Sequence, residues 1–240
     1  MTVLFEYPKQ AAFKKPVPKS KIYDYARPSN KVKNYFISQI DKIIWQYKLA
    51  PETINLPAKP EVPEIQIFTI LLKKEDIHED VFRTIDKAIA FPIFYELVYE
   101  NRIKSIAAYK RPSDADASKW VVDSYFESEW LKADTERSPL PVVLDMANLY
   151  EEMLYRLMPL PPRKGESLKA QAERIAQINI KQKESVKLEK LLNKEKQFNR
   201  RVEINAQLRA IKNELEGLTK ENGNNRKNHG KNEATHARLH

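Results

Sequence analysis

The sequence of 240 residues has no cysteine and only four glycines. Every glycine (Gly165, Gly217, Gly223 and Gly230) follows Pro162, which is the last of the fifteen prolines. The lack of cysteine excludes a zinc site of the Cys type. Loops that cradle phosphates need closely spaced glycines, because only glycine lets backbone N–H groups approach a phosphate. The first 164 residues therefore contain no Walker or dinucleotide-binding loop.

Long apolar segments are also missing. No apolar run reaches the length of about 18 residues that a membrane-spanning helix needs. The N-terminal stretch is rich in lysine and lacks the apolar core of a secretory signal, and the absence of cysteine fits a reducing compartment. We therefore expect a cytoplasmic protein without a membrane contact.

Side chains that commonly carry chemistry are scarce. His78 is the only one of the four histidines that precedes the C-terminal tail. Asp76, His78 and Asp80 do not converge on a helix, so this cluster is interpreted as the acidic first turn of a helix. One ordered histidine leaves little material for a Ser-His or Cys-His triad. The segment 62–111 lacks the acid-x-Lys spacing of metal-dependent nucleases. We assign no catalytic residue, no metal ligand and no cofactor.

The net charge of +9 is unevenly distributed. Residues 1–60 carry +7, residues 61–164 carry −5 and residues 165–240 carry +7. Basic segments attract phosphate backbones through counterion release, which favours a nucleic-acid partner. The alternative is that the basic segments are solvated faces or neutralise the acidic middle within the fold.

Residue patterns predict an α+β domain over 29–163, with flanking helices and a mostly antiparallel sheet of about four strands. The predicted helices cover 29–49, 77–89 and 142–158, and the predicted strands cover 64–73, 92–99, 102–110 and 120–126. Residues 1–28 combine prolines and lysines with apolar residues and are predicted to form an extended basic arm. Trp45 lies opposite the apolar arc of the first predicted helix. We expect it to contact this arm, and the alternative is that it faces a partner.

The composition changes after Gly165. Residues 164–221 are rich in helix formers and are predicted to form a long helix or coiled coil, followed by a disordered tail over 222–240. The end of the helix has a regular heptad seam, and these positions are the predicted partner-binding residues: Ile204, Leu208, Ile211 and Leu215. The earlier part drifts between registers, which suits either one helix that leaves its domain or a hairpin bent near Asn193.

Two groups of cations are candidate phosphate contacts. Lys110 and Arg111 leave a predicted strand together, and ion pairs with Asp114, Asp116 or the acidic middle of the chain are the alternative. The second group lies around Phe198 on the long helix and consists of Lys194, Lys196, Arg200 and Arg201, of which the last three are the assigned contacts. The flanks of coiled coils are also commonly basic.

Several segments carry a resemblance to a known family: YKLAPETINLP (47–57), VPEIQIF (62–68), FPIFYEL (91–97), AAYKRPS (107–113), SKWVVDSYF (118–126) and KEKQFNRRVEINAQLR (194–209). They resemble a bacterial family known only as a domain of unknown function, number forty-three ninety-one, over about residues 29–218. The family has no assigned activity or catalytic residues. The resemblance implies a genomic context beside DNA methyltransferases and DEAD- or SNF2-type helicases in restriction and phage-defence islands.

Charge and resemblance together predict a non-enzymatic accessory protein of a DNA restriction-modification or defence system. It would dock a DNA helicase or DNA methyltransferase, or a second copy of itself, through the coiled coil, and would hold DNA through its basic surfaces. One alternative is a degenerate nuclease subunit that acts with a helicase. Another is a structural coiled-coil dimer without DNA binding.

Overall fold

The computed structural model describes residues 3–113, 115–116 and 119–220. The predicted tail over 222–240 and the candidate partner Asp114 lie outside these residues. The chain divides into two compact units, Met1–Pro162 with Ser167–Ala176 and Arg163–Glu166 with Gln177–His240. We call them the sheet unit and the hairpin unit, and each is described separately.

The described residues contain the following elements, in chain order. They are β1 (Phe5–Glu6), a 3-10 turn (Lys9–Ala11), β2 (Ala12–Pro16), α1 (Lys19–Ala26), α2 (Asn30–Gln39), β3 (Ile40–Leu49), α3 (Pro51–Ile54), β4 (Ile65–Leu72), α4 (Glu79–Ala88), β5 (Ile93–Tyr99), β6 (Arg102–Pro112), β7 (Trp120–Glu127), β8 (Leu131–Lys132), β9 (Ser138–Pro139), α5 (Met146–Tyr155), α6 (Leu168–Lys194) and α7 (Phe198–Thr219). Among the described residues, no helix combines the length and the apolar character needed to cross a bilayer.

The main sheet has seven strands in the order β2-β3-β4-β5-β6-β7, with β8 paired to β6. Only β4 and β5 are parallel, and α4 connects them; the other neighbours are antiparallel. The predicted α+β class with a mostly antiparallel sheet is therefore confirmed. The prediction of about four strands is wrong, because β2, β3 and β8 also join the sheet.

The predicted helix over 29–49 is half helix and half strand. Ser29 is the N-cap of α2, as predicted, and its hydroxyl accepts a hydrogen bond from the N–H of Val32. The helix ends at Gln39, and the apolar positions that follow belong to β3, paired on both sides. Lys19 Nζ donates to the carbonyls of Phe36 and Ile40 and so satisfies acceptors at this junction.

The predicted extended arm over 1–28 contains regular structure. It forms β1, β2 and α1, and β2 is an edge strand paired with β3. The Phe13 ring lies 4.2 Å from the Trp45 ring, so the expected contact between the arm and Trp45 is confirmed. Lysine, a bulge and Pro16 on this edge are features that discourage further strand pairing.

The sheet is covered on both faces. One face packs against α5 and the first turns of α6, with Tyr150 and Ile175 among the buried residues. The opposite face packs against α1, α2 and α4, with Phe36 and Ile85 among them. Strand β4 contributes Ile67 to the first core, and it contributes Phe68 and Ile70 to the second core. This two-sided burial explains its apolar run, as predicted for a central strand.

The hairpin unit contains the end of α6 and all of α7. The two helices are separated by Glu195–Gln197, so the hairpin alternative, with a bend near Asn193, is the observed one. Ion pairs between Lys181 and Glu214 and between Glu189 and Lys212 show that the helices run antiparallel. Helix α7 continues beyond Gly217, where its last carbonyls accept hydrogen bonds from Arg163.

Candidate nucleic-acid interface

Lys110 lies inside the sheet unit rather than on its surface. Its side chain is 1% exposed, and Nζ lies 3.2 Å from Oδ1 of Asp86 on α4. Nζ also donates to the backbone carbonyls of Asp86 and Ile89. The assignment of Lys110 as a phosphate contact is therefore wrong, because every donor direction of its ammonium group is used within the core.

The other oxygen of Asp86 accepts two tyrosine hydroxyls. Tyr95 donates to Oδ2 from 3.0 Å and Tyr125 donates from 2.5 Å. Burial raises the pKa of Asp86 and lowers the pKa of Lys110, in each case towards the neutral form. The mutual attraction of the pair and the tyrosine hydrogen bonds oppose these shifts, which makes the four groups one interdependent network.

A β-bulge explains how the chain places Lys110. The register between β6 and β7 shifts between Ala108 and Lys110, which interrupts the ladder there. The Tyr150 hydroxyl satisfies the backbone groups that the bulge leaves unpaired: it accepts from the Lys110 N–H at 2.7 Å and donates to the Ala108 carbonyl at 2.8 Å. Burial raises the pKa of Tyr150, so the hydroxyl stays protonated and can donate.

Arg111 is also engaged by its own domain. Its Nε lies 3.8 Å from Oδ2 of Asp123 on β7, and its guanidinium donates to the Pro112 carbonyl. The ion-pair alternative thus describes Arg111, and Asp123 belongs to the acidic middle that this alternative included. Its side chain is largely buried, which leaves little of it for a phosphate.

A second buried ion pair lies on the opposite face of the sheet. Arg137 donates to both carboxylate oxygens of Glu96, over 2.7 and 2.9 Å, and to the Phe5 carbonyl. Burial and the Glu96 carboxylate raise the pKa of Tyr7, whose hydroxyl lies in this network. Sequence reasoning missed this pair, because 41 residues separate its members.

The predicted partner-binding seam is not available to a partner. Ile204, Leu208 and Ile211 are buried within the chain itself, and Leu215 is partly buried. The antiparallel register of the ion pairs places these positions of α7 opposite α6. The assignment of this seam to a helicase, a methyltransferase or a second copy is therefore wrong for this conformation of the chain.

The cations predicted at 196–201 remain on the surface, at the closed end of the hairpin. Lys196 is exposed, Arg200 pairs with Glu203 over 2.6 Å, and Arg201 donates to the Glu195 carbonyl. The Glu195 carboxylate accepts from the N–H groups of Gln197 and Lys196, and these bonds lower its pKa. The Glu195 carboxylate thus stabilises the turn between the two helices by satisfying two of its backbone N–H groups.

The structure adds a row of lysines of which sequence reasoning singled out only Lys194. Lys183, Lys187, Lys190 and Lys194 are three or four residues apart on α6, all exposed, and share one helix face. None forms an ion pair or side-chain hydrogen bond with a described residue. The row is about 16 Å long. The periodicity was readable from sequence, but its orientation away from α7 was not.

Together these groups form a basic surface on the hairpin unit, which we call the basic tip: Lys183, Lys187, Lys190, Lys194, Lys196, Arg200 and Arg201. The described residues contain no cluster of three or more His, Asp or Glu able to hold a metal ion. What the arrangement offers chemically is multidentate contact with anions.

Fold and surface thus define an α+β sheet unit joined to a basic helical hairpin. The chain belongs to the family described as Domain of unknown function (DUF4391), whose model matches residues 5–215. No curated protein and no solved structure matches the chain.

Proposed function

We propose that this protein is a non-enzymatic, cytoplasmic accessory protein of a bacterial DNA restriction-modification or phage-defence system. It contacts DNA through the basic tip and docks a DNA helicase or DNA methyltransferase. The observation that carries the DNA contact is the row of four exposed lysines on α6, which have no carboxylate partner among the described residues.

The charge of the hairpin unit supports this proposal. Residues 177–220 carry eleven Lys or Arg against six Glu. Two of these glutamates pair with Lys181 and Lys212 along the hairpin, and a third pairs with Arg200. The row on α6 therefore keeps its positive charge, and phosphates spaced along a strand can engage several ammonium groups at once.

The ion pairs of the sheet unit support a structural role for that unit. Asp86 pairs with Lys110 and Glu96 pairs with Arg137, and in both pairs the acid is almost completely buried. Tyrosine hydroxyls and backbone carbonyls occupy the remaining hydrogen-bonding positions. These groups stabilise contacts between helix, sheet and loops.

Docking of a protein partner requires a surface other than the buried seam. Val142 and Leu144 are the most exposed of the large apolar side chains, and they lie between Pro141 and the N-cap of α5. A groove beside them is lined by Ile54, Leu56 and Leu140, among others. Burial, together with repulsion from Glu152, Asp145 and Glu61, raises the pKa of Glu151 on α5. This apolar surface with an acidic rim suits a partner segment that is apolar and basic.

Binding of a fluorescein-labelled DNA duplex, measured by anisotropy over a salt series, tests the DNA contact. Replacing the four lysines of the α6 row with glutamine should weaken binding and reduce the salt slope by up to about 0.9 per lost phosphate contact. The matched control replaces four exposed lysines of the sheet unit: Lys9, Lys14, Lys15 and Lys42. Equal losses in both variants would show a net-charge effect and contradict the assignment to the basic tip.

Co-purification with the encoded helicase or methyltransferase tests the docking surface. The double variant Val142→Ser/Leu144→Ser should lose the partner, because it removes exposed apolar area without touching the core. Ile180→Ser/Val186→Ser, at exposed apolar positions of α6, is the control and should keep it. Retention of the partner by both variants would place docking elsewhere.

A further inference from the structure

Phe198 is the first residue of α7 and is 77% exposed. A phenylalanine side chain gains most of its stabilising free energy from burial, so this position contributes little to the hairpin core. It follows directly after the turn at Glu195–Gln197, in the middle of the cations of the basic tip. The fold itself gives no reason for an aromatic ring here.

The ring belongs to an exposed stripe along α7. The stripe follows helical spacing and consists of Phe198, Arg201, Val202, Asn205 and Arg209. Val202 is 53% exposed, and Arg209 forms no ion pair with a described residue. The stripe contains no carboxylate; Glu203 lies on another face of the helix and pairs with Arg200.

We propose that this stripe, together with the basic tip, binds single-stranded nucleic acid, with an unpaired base stacked on Phe198. This inference rests on the proposed function and names its ligand class. Every base presents a flat π-face that can stack on an aromatic ring, whereas in a duplex these faces are covered by neighbouring base pairs. Arg201, one helical turn from the ring, then contacts a phosphate next to the stacked base and adds cation–π contact with that base. Arg209 lies about 16 Å along the helix from Phe198 and contacts a phosphate further along the strand.

The charge of the surroundings favours a nucleic acid over a protein as the occupant. Lys194 and Lys196 precede Phe198 by four and two residues, and Arg201 follows it by one helical turn. The nearest carboxylate, Glu195, is turned into the loop and accepts two backbone N–H groups. Four cations (Lys194, Lys196, Arg200 and Arg201) thus surround the ring against two carboxylates (Glu195 and Glu203). An excess of positive charge around an exposed aromatic ring is the combination typical of sequence-tolerant single-strand binding.

Anisotropy with fluorescein-labelled oligothymidine and with a duplex of equal length tests the proposal. Phe198→Ala should weaken oligothymidine binding by about 5- to 100-fold, the range expected for the loss of one stacked base. The same change should affect duplex binding much less. Phe198→Trp should retain affinity, and its fluorescence should be quenched on binding. Ile180→Ser is the matched control, at an exposed apolar position of α6 that lies outside the stripe and the basic tip.

The outcomes separate this inference from the proposed function. If Phe198→Ala lowers binding of both ligands equally, or of neither, the stacking role is overturned while the basic tip stands. If the four-lysine variant of α6 binds both ligands as the parent does, the proposed DNA contact itself fails. Circular dichroism should show unchanged helix content for all these surface variants.

Discussion

Lys110 on β6 and Asp86 on α4 form an ion pair in the core of the sheet unit, with 3.2 Å between Nζ and Oδ1. Their side chains are 1% and 2% exposed. A buried charge is tolerated only when its partners replace the lost water, and here two tyrosine hydroxyls and two backbone carbonyls do so. The pair ties α4 to the sheet.

Breaking this pair from one side should be strongly destabilising. Lys110→Met leaves the Asp86 carboxylate buried and uncompensated, and we expect a loss of about 3–5 kcal/mol in the free energy of unfolding. The double variant Lys110→Met/Asp86→Asn should lose much less than the sum of the two single variants, because no unpaired charge remains. Urea denaturation measures both. Lys42→Met, at an exposed position, is the control, and an equally small loss for Lys110→Met would contradict the buried pair.

Glu151 predicts a pH dependence of stability. Burial and the neighbouring Glu152, Asp145 and Glu61 raise the pKa of Glu151 above its usual value of 4.5, so the folded state holds this proton more tightly than the unfolded state. The carboxylate is therefore unfavourable at neutral pH, and its contribution improves as pH falls through the folded-state pKa. Glu151→Gln should stabilise the protein at pH 7, and the gain should vanish below pH 4.5.

Thermal unfolding across this pH range measures the effect of Glu151→Gln. Glu6→Gln, at an exposed position of β1, is the control for removing one negative charge. A gain that grows as pH falls would reverse the expected sign and refute the explanation.

Leu208 tests whether the seam of α7 is closed within one chain. Leu208→Ala should destabilise the hairpin unit by about 2–5 kcal/mol, as for truncation of a buried leucine. Leu191→Ala, on the more exposed side of α6, should cost much less. Helix content followed by circular dichroism during urea unfolding gives these values.

The molar mass in solution shows whether the seam of α7 packs within one chain or between two chains. Light scattering after size exclusion should give the same mass for the parent and for Leu208→Ala, because the seam is satisfied within the chain. A parent dimer that becomes monomeric in Leu208→Ala would contradict the intramolecular hairpin.

Local sequence patterns were sufficient for several elements. The capping Ser29, the apolar run of β4 and the stripe of α4 all reflect short-range chemistry and were placed within a few residues. The segment after Gln39 is predicted as helix but forms a strand, because its apolar residues fit one helix face as well as they fit a strand. Pairing with β2 and β4 decided in favour of a strand, and these partners are distant in sequence.

The candidate site shows the same division. The scarcity of glycine and cysteine, the basic composition of the last third and the cations near Phe198 were all readable from the sequence. The sequence could not distinguish Lys110, whose ammonium is buried against Asp86, from Lys196, which is exposed. Burial depends on which elements pack over a residue, and this information is spread over the whole chain.

The sequence by itself thus determined the class of fold, the absence of phosphate loops before Gly165 and the excess of positive charge in the long helical region. Only the tertiary structure decided that the heptad seam faces α6 and that two ion pairs lie on opposite faces of the sheet. The physical reason is that composition and periodicity act between near neighbours. Ion pairs and seams require side chains from distant segments to meet, and only the folded backbone brings them within a few ångströms.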